Sequence, residues 1–130
     1  MKRMMIGMNY QQCDVVLVPF LHSDLREEKT RPVLILSNQR HHVDSNDFIG
    51  CMITKNLRND LGKTITLQSK HFEQGNLEFE SILKPCHLLT IKQNVIKRRI
   101  ARLSKDIVQM AVQEIKNSIE LKNDSMNKNQ

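Results

Sequence analysis

A mainly β fold with a C-terminal helix is what this 130-residue chain predicts. Three observations carry the prediction. Short apolar runs are rich in β-branched residues, polar turn clusters separate them, and a four-residue apolar period sets in only after Ser104. Strands are expected at about 14–19, 32–38, 47–54 and 63–68, and across 78–91 in one or two pieces. Short strands broken by turns fit a small barrel or a sandwich.

Residues 1–11 read as a loosely attached N-terminal extension, residues 12–122 as a single domain and residues 123–130 as a disordered tail with one apolar side chain. Val15 to Val18 and Val33 to Leu36 are buried-strand runs, and the segment between them carries Asp24, Arg26, Glu27, Glu28, Lys29 and Arg31, which belong in water. Pro32 has no N–H to give to a ladder, so it is expected at the first position of the second strand. That would hold Arg31 at the mouth of a strand. FIGCMIT (Phe48 to Thr54) and KTITLQ (Lys63 to Gln68) continue the β pattern. After Ser104, a candidate cap, Ile107, Ala111, Ile115 and Ile119 recur with Val108 and Val112 beside them, and that face is expected to dock on the sheet.

At 39% hydrophobic and 26% charged the composition is that of an ordinary globular domain, and the net charge of +6 favours a polyanionic or acidic partner. Four Phe, one Tyr and no Trp are too few for a base-stacking platform. Cys13, Cys51 and Cys86 cannot all pair, which fits reduced thiols and a cytoplasmic location. No segment has the length of a signal h-region or a membrane span. His41-His42 and Cys86-His87 are adjacent pairs without the spacing that lets two ligands reach one zinc, so no metal or other cofactor is expected.

Several stretches carry a resemblance. Asp14-Val15-Val16, Pro19-Phe20, Asp24-Leu25, Arg31-Pro32 and Leu34-Ile35-Leu36-Ser37 resemble the opening of the MazF/PemK toxin endoribonucleases. FIGCMIT resembles that family's strand ending in Ile-Thr, and SILKPCHLLTIKQNVIKRRIARLS (Ser81 to Ser104) resembles its closing segment. The similarity spans roughly residues 13 to 116, in register. It implies a small SH3-like β-barrel with a C-terminal helix, a homodimer, and a sequence-selective, metal-independent cleavage of single-stranded RNA. It further implies an acidic antitoxin protein as partner.

Arg31 offers a permanently charged five-donor fork suited to phosphate, although its position alone also fits an ordinary strand-edge arginine. Thr54 by pattern is a β-former finishing a strand. The resemblance makes Arg31 and Thr54 the catalytic pair. His22 is a candidate general base, the alternative being that it packs at the base of its loop, and Ser23, Asp24 and Lys55 are candidates for catalysis or RNA binding. Asp24 fits equally a turn acid bonded to backbone N–H groups. Lys29, Arg58, Lys97 and Arg99 are candidates for RNA or antitoxin contact, with a solvated edge as the alternative for the basic run from Lys97.

The chain departs from the family pattern at Cys13 and Ala101, where glycine is usual, and at Lys55, where serine is common. A Cβ at position 13 is penalised if that position needs φ > 0. The departures leave a second reading open, a catalytically weakened module of the same fold that binds RNA or an antitoxin without cutting. A DNA-binding domain lacks support, since no helix-turn-helix pattern precedes the last helix.

Overall fold

The computed structural model describes residues 10–21, 28–55 and 63–122. Seven strands form one antiparallel sheet that curls as a half-barrel: β1 (Asp14–Leu21), β2 (Glu28–Ile35), β3 (Asp47–Thr54), β4 (Ile65–Leu67), β5 (Phe72–Gly75), β6 (Ser81–Lys92) and β7 (Arg98–Leu103). Their order across the sheet is β4-β6-β3-β2-β1-β7-β5. A short helix, α1 (Gln39–Asp44), links β2 to β3, and α2 (Lys105–Ile119) ends the fold.

Strand alternation divides the buried residues between two clusters. Val15, Leu34, Cys51, Ile53 and Leu83 face one way and pack with Ile107, Val108 and Ala111 of α2. Val16, Val18, Val33, Ile35 and Phe48 face the other way with Ile91 and Ile96. Here His42 of α1 meets Phe48 edge-on at 4.4 Å between ring centroids. Gly50 lets β3 lie tight on β2, because a Cβ there would stand 2.7 Å from the Leu34 carbonyl oxygen and 2.7 Å from Val33 Cγ1.

The third expected strand, 47–54, agrees with β3, and 78–91 becomes the single strand β6. Other expectations need correction. β2 begins at Glu28, so Pro32 sits inside it, opposite Leu17. It is tolerated because the β2–β3 ladder starts only at Val33↔Met52, leaving Pro32 on a stretch of β2 paired on one side. α1, β5 and β7 were not among the expected elements. In α2, Ile107, Val108 and Ala111 dock as expected, but Val112 is 44% exposed and Ile119, the last residue of the helix, 74%. Ser104 holds the N-cap position without a side-chain cap bond, and its own N–H donates to the His71 carbonyl at 2.8 Å.

The two glycine departures have different consequences. Cys13 is the one non-glycine with positive φ among the described residues, at 83°. It is held there by its N–H to the Ile35 carbonyl, 3.0 Å, and by its own carbonyl, which accepts from Leu103 N at 2.9 Å. Ala101 has ordinary φ and is buried between Val15 of β1 and Gly75 of β5, so its methyl group is core packing.

Candidate active site

The site forms where β2 and β3 run past the end of their ladder. Arg31 and Thr54 each lie two residues beyond the last pair, Val33↔Met52, and therefore project on the same face as that pair. Both line a cavity of about 380 Å³. Phe20, Met52, Leu88 and Leu89 give it apolar walls, and Lys84 and His87 complete its polar lining. No acidic side chain is among the described residues that line it, and Arg31 and Lys84 form no ion pair with a described residue. Two such cations beside a hydroxyl suit an anion, and a phosphodiester fits that chemistry.

Lys84 and His87 reach the cavity through an irregularity in β6. Met52 pairs with Lys84 and the preceding Cys51 with Leu88, so Pro85, Cys86 and His87 have no partner on β3. Pro85 at the bulge is fully buried and could not have donated to the ladder in any case. Bulges re-aim side chains, and this one turns Lys84 and His87 toward one space. Cys86, at its crest, points instead to α2, where its thiol lies 3.3 Å from the Ser118 hydroxyl. A second cavity of about 350 Å³ shares Lys84 and His87 and continues to Lys63 and Thr64. The basic lining thus extends past the Arg31–Thr54 pair toward β4.

The other expected residues are dispersed. Lys29 is exposed on β2 opposite Phe20, on the same face as Arg31, and does not line the cavity. Lys55 does not line the cavity; alternation turns it away from Thr54, and its Nζ stands 4.4 Å from the centre of the Phe79 ring. Lys97 and Arg99 lie on the far side of β1. The Lys97 N–H donates to the Leu17 carbonyl at 2.9 Å, and Arg99 Nη1 stands 3.5 Å from Asp14 Oδ1. His22, Ser23, Asp24 and Arg58 lie outside the described residues.

Lys84 and His87 were missed by sequence reasoning. The signal for them is Pro85 inside an apolar run, which marks an edge or a bulge. The two buried thiols are poor nucleophiles: burial pushes Cys51 up to about 12 and also raises Cys13. Among the described residues no three of His, Cys, Asp or Glu group as metal ligands, and no helix is long and apolar enough to cross a membrane.

The curled antiparallel sheet with its terminal helix has close counterparts among solved toxin structures. A chain of the MazE-MazF complex (Form-III) from Deinococcus radiodurans superposes with a TM-score of 0.66 at 14% identity, over 87% of this chain and 98% of that one. The Mycobacterium tuberculosis toxin MazF-mt6 gives 0.62 at 20% identity, over 85% and 99%. A mycobacterial endoribonuclease in complex with its cognate antitoxin gives 0.63 at 10% identity, over 88% and 96%. No curated protein sequence matches the chain. The family model for the PemK-like, MazF-like toxins of type II toxin–antitoxin systems matches residues 11–119, and the chain belongs to that family.

Proposed function

We propose that this chain is a metal-independent, sequence-selective endoribonuclease toxin that cuts single-stranded RNA. The observation that carries the reading is the convergence of Arg31 and Thr54 in one cavity lined by cations and, among the described residues, by no acid. In this reaction the ribose 2′-oxygen attacks the adjacent phosphorus, the bond to the 5′-oxygen breaks, and negative charge builds on the phosphoryl oxygens. Arg31 stabilises that charge with preorganised donors, Lys84 adds a second cation, and Thr54 orients a phosphoryl oxygen through its hydroxyl. Phe20, Met52, Leu88 and Leu89 leave room for a base or ribose against the apolar walls.

The test is direct. Purified protein incubated with single-stranded RNA of mixed sequence should give fragments ending in a 2′,3′-cyclic phosphate and a 5′-hydroxyl. A 2′-deoxy substitution at the cut position should abolish cleavage, because the nucleophile is gone. Tight RNA binding with no cutting would instead favour the binding-module reading.

The proposed partners are an acidic antitoxin protein and a second copy of the chain, acting in the cytoplasm as one domain spanning residues 12–122. The net charge of +6 supports the first, since an acidic segment can cover a basic groove and compete with RNA for it. Two of the similar structures are toxin–antitoxin assemblies by name. Sedimentation of the free protein at micromolar concentration should show a dimer, and a strict monomer would overturn that part.

A further inference from the structure

We infer that His87 is the general base that takes the proton from the attacking 2′-hydroxyl. The inference rests on the ribonuclease reading above and adds a proton-transfer residue to it.

Charge stabilisation alone leaves the 2′-hydroxyl poorly reactive, so the cavity needs an acceptor for its proton. Arg31 and Lys84 line the cavity as donors and have no lone pair to give while charged. Thr54 is a weak base, and the apolar walls carry no basic group to accept a proton. Among the described lining residues only His87 carries an imidazole, whose neutral ring has a nitrogen lone pair that can accept the proton.

The local structure fixes the backbone that carries this imidazole and leaves the ring accessible. The bulge is pinned by ladder pairs at both ends, Lys84 to Met52 and Leu88 to Cys51, and by the buried ring of Pro85. His87 itself is exposed and has no hydrogen bond or ion pair with a described residue. The polar groups that line the two cavities with it are Arg31 from β2, Thr54 from β3, Lys84 from its own strand, and Lys63 with Thr64 ahead of β4, with Cys86 lining the second cavity while its thiol lies against Ser118. From α2, Glu114 reaches Ser118, the hydroxyl that Cys86 contacts.

In the step, the 2′-O–H proton passes to a ring nitrogen of neutral His87 as the 2′-oxygen forms its bond to phosphorus. The bond from phosphorus to the 5′-oxygen then breaks, that oxygen takes a proton from water, and the imidazolium returns its proton to solvent. The products are the 2′,3′-cyclic phosphate and the 5′-hydroxyl, with no net gain or loss of protons.

Single-turnover cleavage should be followed against pH for the wild type, His87→Gln and His22→Gln, alongside binding of a 2′-deoxy analogue that cannot be cut. His87→Gln should lower the rate by about 10² to 10⁴-fold and abolish the acid-side limb of the wild-type pH–rate profile. Its affinity for the analogue should stay at the wild-type value, and added imidazole should partly rescue His87→Ala. The inference is overturned if the limb survives in His87→Gln, if the loss lies in binding rather than rate, or if His22→Gln removes the limb. Should the wild type cut RNA and depend on Arg31 while His87→Gln cuts normally, only the proton-transfer role falls. Should the wild type cut nothing, the ribonuclease reading falls with it.

Discussion

Asp14 and Arg102 form an ion pair of 2.8 Å across the β1–β7 ladder, with Asp14 only 1% exposed. Arg102 also donates to the Gln12 carbonyl at 3.2 Å, while Asp14 accepts from the Gln11 N–H at 2.9 Å. A carboxylate removed this far from water is tolerated only because its lone pairs are occupied. Arg102→Ala should therefore destabilise the fold by about 3 kcal/mol, the low end for breaking a buried pair, because Arg99 at 3.5 Å remains as partial compensation. Chemical denaturation checks this, and a loss below about 1 kcal/mol, the value of a surface pair, would contradict it.

Cys13 inverts the usual preference for a side chain over glycine. A Cβ at its φ of 83° costs roughly 1–2 kcal/mol, which offsets the lost burial of the thiol and the greater unfolded-state freedom of glycine. Stability should run with Cys13→Gly close to wild type, Cys13→Ala lower and Cys13→Val lowest, since a β-branched residue fits that region worst. An alanine variant more stable than the glycine variant would show that the strain is absent.

His42 should make the protein acid-sensitive. Burial lowers its affinity for a proton from the ordinary 6.5, its Nε2 shares a hydrogen bond of 2.8 Å with Ser37, and its Nδ1 has no partner among the described residues. Between the folded and unfolded values only the unfolded chain binds the proton, so the stabilisation is complete above about pH 6.5 and is lost as pH falls below it. Thermal melts from pH 7.5 to 5 should show a fall in Tm that is smaller in His42→Gln. An equal fall in both proteins would place the titrating group elsewhere.

Chelation should leave RNA cleavage unchanged. Arg31 and Lys84 already place positive charge where a metal would act, and a cavity so lined repels a cation. Loss of cutting in EDTA, restored by Mg²⁺ or Zn²⁺, would contradict this.

The strands β1, β3 and β6 and the helix α2 were legible because their apolar periods are long and unambiguous. β5 was not: its FEQG is half-buried at Phe72 and exposed elsewhere, and it is a strand because it pairs with β7. Pro32 misled because the rule for proline concerns unpaired strand sides, and only the sheet order shows that β2 has such a side there. In the site, Arg31 and Thr54 could be named from motif resemblance, whereas Lys84 and His87 come from a bulge, a relation between two strands that neither strand's sequence contains. Lys55 follows Thr54 in the sequence, but alternation along the strand turns it from the cavity toward Phe79, a divergence that adjacency alone does not show.

The measurement closest to the central claim is single-turnover cleavage of a defined single-stranded RNA by wild type, Arg31→Ala and Thr54→Ala. Arg31 is exposed and Thr54 half-buried, so both variants should fold. Arg31→Ala should cost at least about 10²-fold in rate, as expected when a preorganised transition-state donor is lost, and Thr54→Ala about tenfold. Cleavage by Arg31→Ala at the wild-type rate would contradict the assignment of this cavity as the place where RNA is cut.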